Sequence, residues 1–395
     1  MDLFHKCRTF TRAKEAQAEG WYPYFKPIGS GADAEVVIDG KKMIMIGSNN
    51  YLGLTQHPKV KAAAIEAVKN YGSGCTGSRF LNGTLDIHEH LETGLADFMK
   101  KESALVFSTG FQTNQGTIYT LVGKDDTIVI DRGDHASIMD GCRLAFGKTI
   151  KYRHNDMKDL ERILSELERP ENTLVIVDGV FSMEGDLADL PKICELKKKY
   201  KFKLMVDDAH GIGVMGKNGR GTAEHFGVED QVDLIMGTFS KSFASIGGFI
   251  CGEESVIHYI KHFSRALIFS ASMPPAAVAA VLASLDIIKK EPERRQKLWK
   301  NVNRIRDAFK KFGFDTAGSE TPIIPIVAGG EQKVFMFWKD LYERGLFANP
   351  VIPPAVAPEH CLIRTSYMAT HTDEQIDKVI EICGQSAKAV GLANL

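Results

Sequence analysis

No Cys-x-x-Cys pair occurs in this chain. Its seven cysteines (Cys7, Cys75, Cys142, Cys194, Cys251, Cys361, Cys383) are scattered and odd in number. That argues against a disulfide framework or a zinc ribbon and fits free thiols in a reducing cytoplasm. Long apolar runs are also missing. Stretches such as Leu174 to Val177 and Ala276 to Leu282 fall far short of the roughly 20 residues a transmembrane helix needs. Charge of one sign is missing too: Lys+Arg is 49 against Asp+Glu 50, a net charge of -1. No global basic field draws in nucleic acid. Internal repeats, low-complexity tracts, a Gly-x-Ser-x-Gly elbow and a Gly-x-x-x-x-Gly-Lys-Ser/Thr loop are absent.

What is present is ordinary globular composition over 395 residues, 44 % hydrophobic and 25 % charged. Such a chain buries a large core and is not intrinsically disordered. The N-terminal Met-Asp-Leu-Phe-His-Lys carries charges where a secretory leader needs apolar residues. Leu3 to Gly20 alternates apolar and charged residues at near-helical spacing, then breaks at the aromatic run from Trp21 to Phe25. We read it as a helix packed on its own dimer, with peripheral membrane contact as the other use of such a face.

The pattern then changes to short apolar strands alternating with amphipathic helices. Ser103 to Ser108, Thr127 to Asp131, Thr173 to Asp178, Lys203 to Asp207, Val232 to Gly237 and Gly248 to Cys251 read as buried strands. Met157 to Leu167 and Leu190 to Tyr200 read as helices between them. This alternation predicts an α/β fold with a mostly parallel sheet covered on both faces. A helix from Pro275 to about Lys311, interrupted near Glu291-Pro292, leads to a smaller α+β unit. In that unit Thr321 to Val327 and Leu362 to Ser366 read as strands, Glu331 to Arg344 and Thr372 to Val390 as helices. The expected organisation is an N-terminal helix and arm over 1–45, a large α/β domain over 46–285 and a small domain over 286–395.

Chemistry gathers at the strand ends. Lys203 to Val206 runs into Asp207-Asp208-Ala209-His210, and Val232 to Met236 into Gly237-Thr238-Phe239-Ser240-Lys241. Leu174 to Val177 runs into Asp178-Gly179-Val180-Phe181-Ser182, and Thr127 to Ile130 is followed by Asp131-Arg132-Gly133-Asp134-His135. Ligands of such sheets bind outside the carboxyl ends of the strands, so these side chains converge on one rim. A lysine among apolar and cationic neighbours loses its proton readily and forms a Schiff base. A pyridine aldehyde cofactor needs an acidic partner for its ring nitrogen, which Asp207 offers. His210 would hold the phenolic oxygen, and His135 would stack on the ring. Ser108 to Asn114 offers a glycine turn opening a helix, suited to a phosphate arm. Taken singly, Lys241 is a solvated lysine and Asp207 a helix cap; the convergence favours the cofactor.

Two further motifs are set aside. Gly211-x-Gly213-x-x-Gly216 matches a dinucleotide fingerprint in letters, but no apolar helical stripe follows it. His88 and His90 stand two apart in a helical pattern, the wrong spacing for a shared metal, so they read as structural. No metal site is expected.

Thr238-Phe239-Ser240-Lys241 with Asp207-Asp208-Ala209-His210 upstream resembles the pyridoxal-phosphate site of the α-oxoamine synthases, a family of fold type I. Asn49 to Leu54, Asp134 to Ser137, Phe181 to Asp186 and Phe269 to Met273 extend the resemblance through almost the whole chain. It implies a fold-type-I large domain with a seven-stranded sheet, pyridoxal 5'-phosphate as cofactor, and a homodimer with shared sites. It also implies an acyltransferase that joins an amino acid to an acyl-CoA. Gly74 to Thr84, Ser240 to Gly248 and Arg364 to Thr372 are most similar to the branch that condenses L-serine with palmitoyl-CoA. That branch releases 3-oxosphinganine, CoA and carbon dioxide, at the start of sphingolipid synthesis. Glycine C-acetyltransferase and 8-amino-7-oxononanoate synthase are the alternatives.

Position by position, the resemblance makes Lys241 the Schiff-base lysine and proton carrier at the substrate Cα. Asp207 would pair with the pyridinium, His210 and Ser182 would hold the phenolic oxygen, and His135 would stack on the ring. Gly110, Phe111, Thr238 and Ser240 would bind the phosphate, with Ser270 and Ala271 reaching it from the second subunit. Alanine at 271 leaves only a backbone donor there. Arg364 would clamp the substrate carboxylate, and Asn49 or its neighbour Asn50 would face the same substrate.

Overall fold

The computed structural model describes residues 1–392. Valine, isoleucine and leucine alternate along the central strands, so each strand presents one apolar set to each face. Seven strands form one sheet: β3 (Ser103–Phe107), β4 (Thr127–Asp131), β5 (Lys148–Tyr152), β6 (Thr173–Asp178), β7 (Lys203–Asp207), β8 (Leu234–Thr238) and β9 (Gly248–Gly252). Preceding them are β1 (Glu35–Ile38) and β2 (Lys41–Met45). The sheet order is β3-β9-β8-β7-β6-β4-β5, and only β9 runs against its neighbours.

On one face Val129, Val175, Val177, Leu204, Val206 and Ile235 join the larger core. On the other Ile128, Ile130, Leu174, Ile176, Met205 and Met236 form a second core with the helix Gly110–Leu121. Both faces are therefore covered, which is why β6 is buried at all six positions. β4, β6 and β7 begin and end where the sequence predicts.

Past the interrupted helix, which is Pro275–Lys290 followed by Pro292–Lys311, the chain adds β10 (Ile323–Gly329), β11 (Leu346–Phe347), β12 (Asn349–Val351) and β13 (Cys361–Ser366). β10, β13 and β12 make a three-stranded antiparallel sheet. β2 pairs with β11, so the β1–β2 hairpin near the N-terminus is stitched to the C-terminal segment.

The N-terminal stretch differs from its expectation. Leu3 to Gly20 forms two short helices, His5–Arg8 and Arg12–Ala18, neither with a buried residue. The break falls at Thr9-Phe10-Thr11, where the Thr9 hydroxyl donates back to the His5 carbonyl. Hydroxyl competition for backbone groups and β-branching both disfavour a continuous helix there. Among the described residues, no helix is long and apolar enough to cross a membrane, and no group of His, Cys, Asp and Glu could hold a metal ion.

Candidate active site

A cavity of about 240 Å³ opens at the carboxyl ends of β6, β7 and β8. Lys241 reaches it from the turn after β8, Asp207 from the last position of β7, and His210 from the turn that follows. His135 enters as the N-cap of the helix Ala136–Leu144, and Ser182 from the loop after β6. Gly110 and Phe111 open the helix Gly110–Leu121, and Thr238 and Ser240 stand opposite them. The structure thus brings nine predicted residues to one cavity.

Lys241 is held without a compensating ion pair among the described residues. Burial lowers its pKa to about 8; Asp207 and Asp178 oppose that shift and the Arg364 guanidinium adds to it. The amine is therefore free far more often than a surface lysine would be. Asp207 is buried, its Oδ1 accepting from the Ala209 N–H at 3.0 Å.

Asn114 joins the groups under the cavity. Its Nδ2 donates to Asp207 Oδ2 at 2.6 Å and to Ser137 Oγ at 2.8 Å. Ser137 Oγ lies 2.7 Å from His135 Nδ1, which also accepts from the Ser137 N–H. Nδ1 is an acceptor on both counts, so the neutral ring carries its proton on Nε2. Burial lowers the His135 pKa and keeps that ring neutral.

Tyr51 plays the matching part for His210. The two side chains lie 2.7 Å apart, Tyr51 Oη to His210 Nδ1. Burial raises the tyrosine pKa, and burial with Lys241 and Arg364 pushes the histidine well down. Tyr51 Oη also donates to Asn49 Oδ1 at 3.3 Å, so the phenol stands between that acceptor and His210 Nδ1 and fixes the imidazole by its Nδ1 side.

Arg364, on β13, is buried and does not line the cavity wall itself. Its Nε donates to the Ser182 carbonyl at 2.6 Å and its Nη2 to Asn49 Oδ1 at 2.9 Å. Asn49 is therefore the asparagine that contacts Arg364. Asn50 turns away, donating to Thr55 Oγ1 and accepting from the Leu54 N–H. Ser270 and Ala271 do not line their own chain's cavity either. Ser270 Oγ accepts from Gln112 of the helix Gly110–Leu121 at 3.0 Å, and the Ala271 carbonyl accepts from Ser108.

The set-aside motifs stay set aside. Gly213 and Gly216 have positive φ in a loop that folds around Asp208 and Glu224, and only a four-residue helix follows. His88 is buried, its Nε2 3.0 Å from the Met273 carbonyl and its Nδ1 accepting from the Leu85 N–H. Sequence reasoning missed Tyr51, Asn114 and Asp178. Tyr51 and Asn114 lie inside quoted motifs, but nothing local marks their partners. Asp178 closes a predicted strand; it is buried beside Asp207 and Asp134, which with burial raise its pKa.

A lysine after one strand, an aspartate ending the next and a helix opening beside them define a class of aldehyde-cofactor enzymes. The family model described as aminotransferase class I and II matches residues 41–382, and the chain belongs to that family. It is 52% identical to a serine palmitoyltransferase of Sphingobacterium spiritivorum over 96% of this chain and 95% of that one. An 8-amino-7-oxononanoate synthase of Treponema denticola is 42% identical over 96% and 97%. A high-resolution serine palmitoyltransferase structure with pyridoxal phosphate superposes at a TM-score of 0.96. It shares 36% identity over 99% of this chain and all of that one.

The residues fit that cofactor. At Gly110 an added Cβ would sit 2.7 Å from Thr238 Oγ1, inside the space a phosphate would share with the helix N-terminus. The carboxylate, the two imidazoles and the free amine match the ring nitrogen, ring face, phenolic oxygen and aldehyde in turn.

Proposed function

We propose that this chain catalyses the decarboxylating condensation of L-serine with palmitoyl-CoA, giving 3-oxosphinganine, CoA and carbon dioxide, with pyridoxal 5'-phosphate as cofactor. The observation that carries the reading is Lys241, an amine with its pKa at about 8 facing Asp207 across a cavity with a helix N-terminus beside it. Near-full-length identity of 52% to a serine palmitoyltransferase supports the choice of substrates.

Bound pyridoxal phosphate supplies an electron sink that lets the amino-acid Cα lose a proton and attack a thioester. The protein supplies the rest. Lys241 is the residue that would hold the aldehyde carbon and would move the Cα proton. Asp207, kept in place by Asn114 and the Ala209 N–H, holds the proton on the ring nitrogen. His210, backed by Tyr51, donates to the phenolic oxygen together with Ser182. His135, in the cavity lining, would cover the ring face, and its Nε2–H would be available to the substrate carboxylate. Arg364 clamps that carboxylate, with Asn49 and the Ser182 carbonyl fixing the guanidinium plane.

A homodimer acting in the cytoplasm is part of the proposal. Phe80, Leu81 and Phe269 are exposed, and the Ser272 N–H donates to the Gly77 carbonyl, so the loop with Phe80 and Leu81 joins the segment with Ser270 and Ala271, which supports a second copy covering them. The test is the visible spectrum of the purified protein during titration with L-serine, glycine and L-alanine. Saturation at lowest concentration with L-serine is the expected result. Tightest response to L-alanine would move the assignment to the 8-amino-7-oxononanoate branch, and to glycine toward the acetyltransferases. No colour with added pyridoxal phosphate would overturn the cofactor.

A further inference from the structure

One cluster of ionisable groups stands outside the cavity yet touches two of its loops. His154 follows β5 and lies between two carboxylates, its Nδ1 2.9 Å from Asp131 Oδ1 and its Nε2 3.1 Å from Asp186 Oδ2. Both ring nitrogens face acceptor oxygens, which is the arrangement of an imidazolium. The two hydrogen bonds raise the His154 pKa to about 10. The ring also packs edge-on against Phe181, centroids 4.4 Å apart.

The next residue repeats the connection. The Asn155 N–H donates to Asp131 Oδ2 at 2.7 Å, and its Nδ2 donates to the Leu187 carbonyl at 2.8 Å. Its Oδ1 accepts from the Asp189 N–H. Asn155 has φ +50, an uncommon backbone state for a non-glycine residue, so the chain is turned to make both contacts at once. The loop between β6 and Leu190 is thus fastened at Phe181, Asp186, Leu187 and Asp189. Within it sits Ser182, whose carbonyl accepts from Arg364 Nε at 2.6 Å.

We infer that His154 is a positioning residue: by tying Asp186 to Asp131 it holds the Ser182 loop against the strand ends, and that loop orients the Arg364 guanidinium toward the substrate carboxylate. His154 does not line the cavity and touches no reacting atom. Arg364 donates to Asn49 on one side and to Ser182 on the other, with the Tyr51 hydroxyl beside it. Loosening one lets the guanidinium swing. The loss falls on ligands that present a carboxylate and spares those that do not.

This inference rests on the proposed amino-acid site. The experiment titrates pyridoxal-phosphate-loaded wild-type and His154→Leu protein with L-serine and with L-serine methyl ester, read by the visible spectrum. The expected result is an L-serine dissociation constant about tenfold higher in the variant and an ester constant within about twofold of wild type. In turnover, the KM for L-serine rises while the KM for palmitoyl-CoA holds. Equal weakening of both ligands, or no weakening of either, overturns the inference. Should His154→Leu fail to fold, Asp186→Asn is read in the same way, with a smaller expected shift because the amide keeps an acceptor for Nε2. A wild-type protein that responds to no amino acid overturns the amino-acid site itself, and the inference falls with it.

Discussion

Both ends of the central sheet carry charged side chains, and they use them in opposite ways. At the amino ends, Lys197 pairs with Asp233 and donates to the Gln231 carbonyl, and Asp233 accepts from the Leu204 N–H. Lys101 donates to the carbonyls of Glu229 and Val232. Lys101, Lys197 and Asp233 each have a partner there. At the carboxyl ends, Asp134, Asp178 and Asp207 crowd one another, the first two with pKa values raised by burial and their neighbours. Lys241 faces them with its own pKa lowered. Asp178 Oδ1 is buried with no partner among the described residues. Satisfied charges hold a fold; charges left short of partners await a ligand.

The largest break in that contrast comes from removing the lysine. Lys241→Ala is expected to lower condensation by at least about a thousandfold, since both the covalent attachment and the Cα proton transfer go with it. Before any amino acid is added, the purified variant is expected to lack the absorbance of a cofactor bound covalently to the lysine. Retained turnover at the wild-type rate would sink the assignment.

Next in size is the clamp. Arg364→Ala is expected to raise the KM for L-serine roughly 30- to 100-fold, the effect of deleting a charge-assisted pair in a buried site. Its effect on the KM for palmitoyl-CoA is expected to stay within about threefold. A matched change in both constants would mean that Arg364 supports the cavity wall and does not read the carboxylate.

Much of this was legible in the sequence, for physical reasons that also mark the limits. β4, β6 and β7 are unbroken apolar runs bounded by threonine, lysine and aspartate, so composition alone brackets them. β5 escaped because Lys148, Thr149 and Lys151 interrupt it, as suits an edge strand that must not pair further. The β1–β2 hairpin also escaped, although Asp39-Gly40, both at positive φ, is the dipeptide such a turn requires. Within the site, lysine, aspartate and histidine announce themselves at strand ends by type and place. Asn114, Tyr51 and His154 reach partners 93, 159, 23 and 32 residues away, and no local pattern carries such distances.

A third test sharpens the contrast through pH. An ordinary lysine has a pKa of 10.5, whereas burial brings Lys241 to about 8. Only the neutral amine attacks an aldehyde, so the rate at which cofactor-free protein captures pyridoxal phosphate is expected to rise about tenfold per pH unit toward pH 8. Above it the rate flattens. The same shift affects stability in the opposite sense to an ion pair. The folded state sheds a proton that the unfolded chain keeps, so the Lys241 contribution becomes less unfavourable as pH rises from about 8 to 10.5. Stopped-flow absorbance across pH 6.5 to 10 reads the capture step. A rate still climbing tenfold per unit at pH 10 would show that the amine behaves as an ordinary surface lysine.

The smallest effect on turnover belongs to the other end of the sheet. Asp233→Ala removes the Lys197 partner and the acceptor for the Leu204 N–H, at a site where Lys197 is mostly buried. Unfolding in urea is expected to show a loss of about 1–3 kcal/mol, the usual result of leaving a partly buried donor unpaired. The kcat for condensation is expected to stay within about twofold, because β7 and β8 still deliver Asp207 and Lys241 from their far ends. The two numbers must be read together. A large fall in kcat with little loss of stability would mean that the amino ends of the strands are coupled to the chemistry at the carboxyl ends. The partition between an amino end whose named charges are paired and a carboxyl end that leaves Lys241 and Asp178 Oδ1 short of partners would then be wrong.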